Sequence, residues 1–216
     1  TYLTGLVGNV FALCNPWRVL AEWLLRGRLA AAPLRYPQAL GEWPALALYL
    51  GFIGFELFGH SRPDSLATAL AFYTVLNLVG AWLIGTQHWF GYCEPFSVFL
   101  RMTGLLAPIG IDPDAPEPHQ RLVLRMPFAG LLQQRPASLG GMVFALAMLA
   151  TTAFDGLKAT QWWVNLFWKD PTGWVTTLAG ARPIMRYAQL RPWYVGWETF
   201  WLLASPLIYS ALYPVS

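Results

Sequence analysis

One uncharged stretch of the chain limits what the chain can fold into. Residues 66–86, LATALAFYTVLNLVGAWLIGT, contain no Asp, Glu, Lys or Arg. As an α-helix this stretch extends about 30 Å, which matches the hydrocarbon thickness of a bilayer. The stretch therefore predicts a transmembrane helix.

The composition agrees with a membrane protein. Only 12% of the 216 residues are charged, whereas soluble domains average about 25%. Four more apolar stretches predict helices at residues 2–14, 43–59, 138–155 and 194–213. We therefore predict an all-α, polytopic transmembrane protein with about five spans, folded as a single membrane-embedded domain over residues 1–216.

The net charge of +3 suits a protein that faces anionic lipid. The chain has no basic run with interleaved aromatic residues, which argues against binding to nucleic acid. The partners predicted from the sequence are the lipid bilayer and other membrane protein subunits.

Both cysteines lie directly before an X-Pro-aromatic step. The two motifs are CNPW at 14–17 and CEPF at 93–96. An Asn or an acidic residue followed by Pro is typical of a helix N-terminus. We predict that each motif breaks the chain and starts a helix of about ten residues, which lies in the membrane interface or re-enters partway. The residues of this repeated break are Asn15, Pro16, Trp17, Glu94, Pro95 and Phe96.

The segments around the breaks also resemble each other. The loop after each break leads to a helix that begins near Pro-Ala and ends in Phe-acid, GFELFG in one case and TAFDG in the other. This pattern predicts an internal duplication with units 1–59 and 66–156. A Trp-rich interfacial segment at 157–193 and a last span at 194–213 would follow, since seven of the 12 Trp residues lie between 156 and 201.

The duplication would make Cys14 and Cys93 equivalent, and three interpretations of the pair remain open. They are two small buried apolar residues, a disulfide, or a pair of ligands for a soft metal. The sequence contains no CxxC and no standard zinc-site spacing around either cysteine.

Ionisable residues near the predicted spans are the other candidates for chemistry. Glu56, Asp155 and Glu198 lie within or at the ends of apolar helices, where a charge has either a function or a partner at the interface. His88 follows a predicted span and is a weak candidate for axial binding of a haem or a chlorin magnesium. No cofactor is demanded by the sequence, and neither a nucleophile elbow nor a phosphate-binding loop is present.

Four segments, CNPWRVL, LALYLGFIGFELF, CEPFSVFLRMTGLLAP and LATTAFDGLKAT, resemble a family of bacterial integral membrane proteins labelled fenitrothion hydrolase-like. The resemblance covers roughly residues 1–165. It implies a bacterial inner-membrane protein, and the family label implies hydrolysis of an organophosphate ester. It transfers no catalytic residue to this chain.

Three functional hypotheses follow from the sequence. The first is a non-catalytic structural or accessory subunit of a larger membrane complex. The second is a membrane-embedded hydrolase that uses Glu56, Asp155 or Glu198. The third is a transporter of a small molecule or ion, with an anion held at the helix N-termini beside the breaks.

Overall fold

The computed structural model describes residues 2–9, 11–25, 32–58, 63–111, 122–130, 138–163, 165, 177 and 186–212. The helices in chain order are α1 (Tyr2–Val7), α2 (Phe11–Cys14), α3 (Pro16–Leu24), α4 (Trp43–Phe58), α5 (Pro63–Ile84), α6 (Thr86–His88), α7 (Pro95–Gly104), α8 (Leu139–Lys158), α9 (Gln161–Trp163) and α10 (Arg186–Leu212). A 3₁₀ turn lies at Gln38–Leu40 and a π-helical turn at Trp89–Cys93. Strands β1 (Ile109–Ile111) and β2 (Leu122–Leu124) pair antiparallel.

The protein is therefore mostly helical, as predicted from the sequence. Helices α4, α5, α8 and α10 confirm four of the five predicted apolar helices. In the described part of the chain, α5 and α8 are the two helices that are long and apolar enough to cross a membrane, judged by length and composition. Helix α4 is apolar but has only 16 residues.

The prediction of one continuous helix over 2–14 is wrong. The chain leaves helical geometry between α1 and α2, where Gly8 has a φ of 97° that residues with a side chain rarely adopt. A Cβ at Gly8 would also lie 3.0 Å from the carbonyl oxygen of Ile109. Glycine therefore both ends α1 and allows β1 to approach it.

The chain forms two compact units. The first contains residues 1–51 and 60–145, and the second contains residues 52–59 and 146–216. In the first unit, α3 packs against α5 through alanines that let the two helices approach closely. Ala21 and Ala81 are fully buried there together with Phe90, and Trp17 and Leu78 pack around them.

The second unit has an aromatic interior. The rings of Phe154 and Trp163 are both buried and meet edge to face at 5.5 Å. On α10, the ring of Trp197 lies 5.6 Å from Phe200 and 5.9 Å from Trp201. Most of the predicted interfacial segment 157–193 lies outside the described residues, and its last part belongs to α10.

Candidate functional site

Each cysteine motif forms the N-terminus of a short helix, which confirms the prediction from the sequence. The Oδ1 atom of Asn15 accepts hydrogen bonds from the backbone N–H groups of Trp17 and Arg18 at 3.0 and 3.1 Å. Pro16 is the first residue of α3, where its missing N–H costs nothing. The two breaks are therefore capped helix starts rather than irregular loops.

The second motif uses a carboxylate for the same purpose. Glu94 accepts hydrogen bonds from the N–H groups of Phe96 at 2.9 Å and Ser97 at 2.6 Å. Pro95 is the first residue of α7. A carboxylate here also lies at the positive end of the helix dipole.

The two helix starts meet in space. The Nδ2 atom of Asn15 donates a hydrogen bond to the hydroxyl of Ser97 at 3.1 Å, across 82 positions of sequence. Asn15 therefore caps α3 with its oxygen and contacts the first turn of α7 with its nitrogen. We call the group of Asn15, Trp17, Tyr73, Glu94, Phe96 and Ser97 the break junction.

Tyr73 of α5 lies between the two motifs. Its hydroxyl donates a short hydrogen bond to the Oε1 atom of Glu94. Its ring meets Trp17 edge to face at 5.0 Å and Phe96 edge to face at 5.8 Å. Trp17 and Phe96 occupy the same place in their motifs, so the aromatic residue after each proline contacts the same tyrosine.

A second set of polar contacts holds the π-helical turn before Glu94 against α5. Asn77 is fully buried, donates to the carbonyl of Tyr73 at 2.9 Å and accepts from the indole N–H of Trp89 at 2.8 Å. A Cβ at Gly80 would overlap the ring of Trp89. These contacts require a residue without a side chain at position 80 of α5 and an amide side chain at position 77.

Burial of Glu94 determines what the break junction can do. Its side chain is fully buried, and its two oxygens accept two backbone N–H groups and one tyrosine hydroxyl. Burying a carboxylate costs free energy unless hydrogen bonds replace its water. These three donors replace water here, and they also occupy the α7 N-terminus at which the transporter hypothesis places an anion.

Another polar cluster surrounds Glu42, just before α4. Arg101 donates to its Oε1 atom at 3.2 Å and also to the carbonyl of Gly91 at 2.5 Å. Ser138 donates a short hydrogen bond to its Oε2 atom. Ser138 is also the N-cap of α8, because its hydroxyl accepts from the N–H of Gly141 at 3.0 Å. We call Glu42, Arg101 and Ser138 the Glu42 cluster.

Two tyrosines and Cys93 lie beside this cluster. The rings of Tyr36 and Tyr92 are stacked at 5.7 Å, and the guanidinium of Arg101 is 6.0 Å from the centre of the Tyr92 ring. Burial, together with the neighbouring Cys93 and Glu42, raises the pKa of the Tyr36 phenol. Burial also raises the pKa of the Cys93 thiol, and its hydrogen bond with Tyr36 offsets part of that rise. Both groups are therefore protonated at neutral pH.

The structure places the candidate carboxylates on helix surfaces. Glu56 and Asp155 are exposed, and Glu198 is half-buried. Within the described ranges, no three His, Cys, Asp or Glu side chains are grouped as a metal site requires.

The cysteines differ from each other. Both are free thiols, so the disulfide interpretation is wrong. Cys93 is buried, but Cys14 is exposed, which contradicts the interpretation of two buried apolar residues. His88 is exposed, and its ring lies 6.1 Å from Tyr36. Its assignment as a cofactor ligand remains a prediction.

Sequence analysis did not single out Tyr36, Glu42, Tyr73 and Ser138. A serine two residues before a Gly-Gly pair at the start of an apolar stretch is a readable N-cap signal for Ser138. Nothing local distinguishes Tyr73 from the other aromatic residues of α5, because its importance comes from what packs against it.

No family model, curated protein or solved structure matches this chain.

Proposed function

We propose that this chain is an integral membrane protein that serves as a non-catalytic structural or accessory subunit of a larger membrane complex. The non-catalytic role is supported by the buried Glu94 carboxylate, because both of its oxygens accept hydrogen bonds from groups within the chain. A carboxylate whose oxygens are engaged by two backbone N–H groups and a phenol holds elements together and has little freedom to act on a substrate.

Membrane insertion is supported by α5. Only 17% of its most apolar stretch is buried within the chain, whereas an apolar helix in the core of a soluble protein is mostly buried. Leu70, Phe72 and Val75 project outward from it with 56%, 69% and 58% of their surface exposed. Lipid or the apolar faces of partner subunits would cover these side chains.

The finer topology of the proposal has four spans in one membrane-embedded domain. Helices α5 and α8 would span the bilayer directly, and α4 and α10 would be two further spans. Residues 2–14 form two short helices with a bend at Gly8 and are too short to add a continuous span. Helices α3 and α7 are nine and ten residues long and would lie in the interface. The resemblance to a bacterial family favours the inner membrane.

Purification in a mild detergent tests the subunit role. We expect partner polypeptides in stoichiometric amounts in the size-exclusion peak, and no stoichiometric metal by elemental analysis. A lone chain that carries one metal ion per molecule would overturn the proposal. Extraction of the membranes with alkaline carbonate tests insertion separately, because an integral protein stays with the pellet.

A membrane-embedded hydrolase of the fenitrothion hydrolase-like type is the second candidate. The resemblance favours it, and the Glu42 cluster supports it by bringing a hydroxyl, a carboxylate and a guanidinium together. The purified chain would be assayed with an aryl phosphotriester. Activity that is lost in Ser138→Ala or Asp155→Asn and retained in Glu22→Gln would favour the hydrolase over the subunit.

A further inference from the structure

The short ribbon that follows α7 has two very different faces. Strands β1 and β2 pair with Ile109 opposite Leu124. The pairing continues beyond β2, because Arg125 donates its backbone N–H to Pro108 at 2.7 Å and Phe128 donates to Leu106 at 3.2 Å. Residues 122–128 are therefore held along the chain that leaves α7.

One face of the ribbon is fixed to the end of α7 by Arg125. Its side chain donates to the carbonyls of Ala107 at 3.0 Å and Gly104 at 3.1 Å. The Gly104 carbonyl lies at the negative end of the α7 dipole, where a cation is favourable. Gly130 allows this contact, because a Cβ there would lie 2.6 Å from the guanidinium carbon of Arg125.

The other face is apolar and uncovered. Leu124, Met126 and Phe128 have 85%, 81% and 60% of their surface exposed. We call these three residues the ribbon tip. Leu124 and Met126 alternate along the chain with the anchored Arg125, as expected for residues on one side of an extended segment. Phe128 follows them in a turn.

The backbone conformation of Phe128 also indicates that the exposure of its side chain has a function. Its φ of 69° is the one positive value at a non-glycine residue in the described ranges. Left-handed backbone is unfavourable for a bulky side chain and persists where neighbouring contacts impose it. In this conformation the Phe128 N–H donates to the carbonyl of Leu106.

The chemistry of the ribbon tip fits a lipid surface better than a protein. Three side chains of this size offer on the order of 500 Å², which is less than the about 800 Å² that each partner buries in a stable protein interface. They supply no side-chain hydrogen-bonding group. Arg125 is the one charged residue in 122–130 and it is bound to the end of α7, so the ribbon tip itself carries no charge.

We propose that the ribbon tip inserts into the boundary between headgroups and acyl chains of the membrane that α5 spans. This inference rests on the proposed membrane insertion of the chain. Arg125 holds the ribbon rigidly to α7, so the tip sets the depth and tilt of α7 at the interface.

Nitroxide labels measure this depth directly. Single cysteines replace Met126 and, in a second protein, Leu124, in a Cys14→Ser background where the buried Cys93 remains. Val75→Cys labels the exposed face of α5 as the reference for the bilayer interior. The proteins are placed in vesicles of phosphatidylcholine and phosphatidylglycerol, and label collisions with oxygen and with a nickel chelate are compared.

We expect both tip labels to collide several-fold more with oxygen relative to the nickel chelate than a dissolved nitroxide does, and less so than the Val75 label. Tip labels that behave like the dissolved nitroxide beside a lipid-buried Val75 label would overturn the proposal and leave membrane insertion intact. A tip that excludes both reagents would overturn it in favour of a protein partner or a second copy of the chain. A Val75 label that also collides like the dissolved nitroxide would overturn insertion itself.

Discussion

The two breaks share one local structure and differ in their surroundings. Asn15 and Glu94 each cap a helix that starts with proline, and the aromatic residue after each proline contacts Tyr73. Both caps are fully buried, but the cap of the first break is a neutral amide and the cap of the second is a carboxylate.

The cysteines before the two caps show the same divergence. Cys14 ends the four-residue α2 and is exposed, whereas Cys93 ends a π-helical turn that Trp89 holds against α5 and is buried. The local sequence pattern thus determines where a helix starts, and the preceding element determines how deeply the cysteine before the cap is buried. The second break should therefore contribute more to stability than the first.

Replacing Glu94 has the largest expected effect. Glu94→Ala removes two capping bonds and leaves the Tyr73 hydroxyl without its acceptor. We expect the free energy of unfolding to fall by about 3 kcal/mol. The measurement is unfolding in mixed micelles followed by tryptophan fluorescence. Glu22→Ala is the control, since it breaks only the exposed pair with Arg18 and should cost less than about 0.5 kcal/mol. Equal losses in the two variants would contradict the comparison.

A methyl group at Gly80 tests the contact that buries the second break. Gly80→Ala places a Cβ inside the space of the Trp89 ring, so we expect a loss of about 1–3 kcal/mol. Gly54→Ala in α4 is the matched control, because no atom lies within 4 Å of its added Cβ. That control should gain up to about 1 kcal/mol from helix propensity. The same assay would refute the tight packing if both variants gained stability.

Replacing Asn15 should have a smaller effect than replacing Glu94. Asn15→Ala loses a cap and the bond to Ser97, and we expect a loss of about 1–2 kcal/mol. Asn15→Asp keeps an oxygen for the cap and loses the donor to Ser97, so it should recover part of that loss. A variant at Asn15 that is less stable than Glu94→Ala would reverse the ranking of the two breaks.

The labelling rates of the two thiols test the difference between the two breaks without a measurement of stability. We expect Cys14 to react with a maleimide in the folded protein and Cys93 to remain protected. In Cys14→Ser, labelling of Cys93 at about pH 8.5 should be slower in the folded than in the unfolded chain, because burial raises the thiol pKa and lowers the thiolate fraction. Equal rates in both states would show that Cys93 is accessible.

The same pKa direction sets a dependence on pH. A raised pKa in the folded state means that folding favours the protonated thiol. The contribution of Cys93 to the free energy of unfolding is therefore fully present below the pKa of the unfolded thiol. It is lost as the pH rises through the pKa of the folded thiol.

The helix starts were predictable because capping is a local interaction. Asn-Pro and Glu-Pro supply a cap and a fixed backbone angle within two residues, which any reader of the sequence can recognise. The bend at Gly8 was also readable, since Gly-Asn within an apolar stretch is a turn signal that the prediction of one helix over 2–14 ignored.

The contacts of the break junction were not predictable in the same way. The bond from Asn15 to Ser97 and the hydroxyl of Tyr73 on Glu94 depend on how α3, α5 and α7 pack, which no local pattern specifies. Burial of Cys93 but not Cys14 follows from that packing. The Glu42 cluster was missed because its three residues come from segments far apart in the sequence.

The separation of Asn15 from Ser97 has a consequence for biosynthesis. Ribosomes add about 5–20 residues per second, so the 82 positions between them take roughly 4–16 s to synthesise. During that interval the amide nitrogen of Asn15 has no Ser97 to bind, and α5, which carries the Tyr73 and Thr74 partners of Trp17, is synthesised only in the later part of it. The first helix start is therefore synthesised before either of its packing partners, and its contact with the second break forms only after α7 has been made.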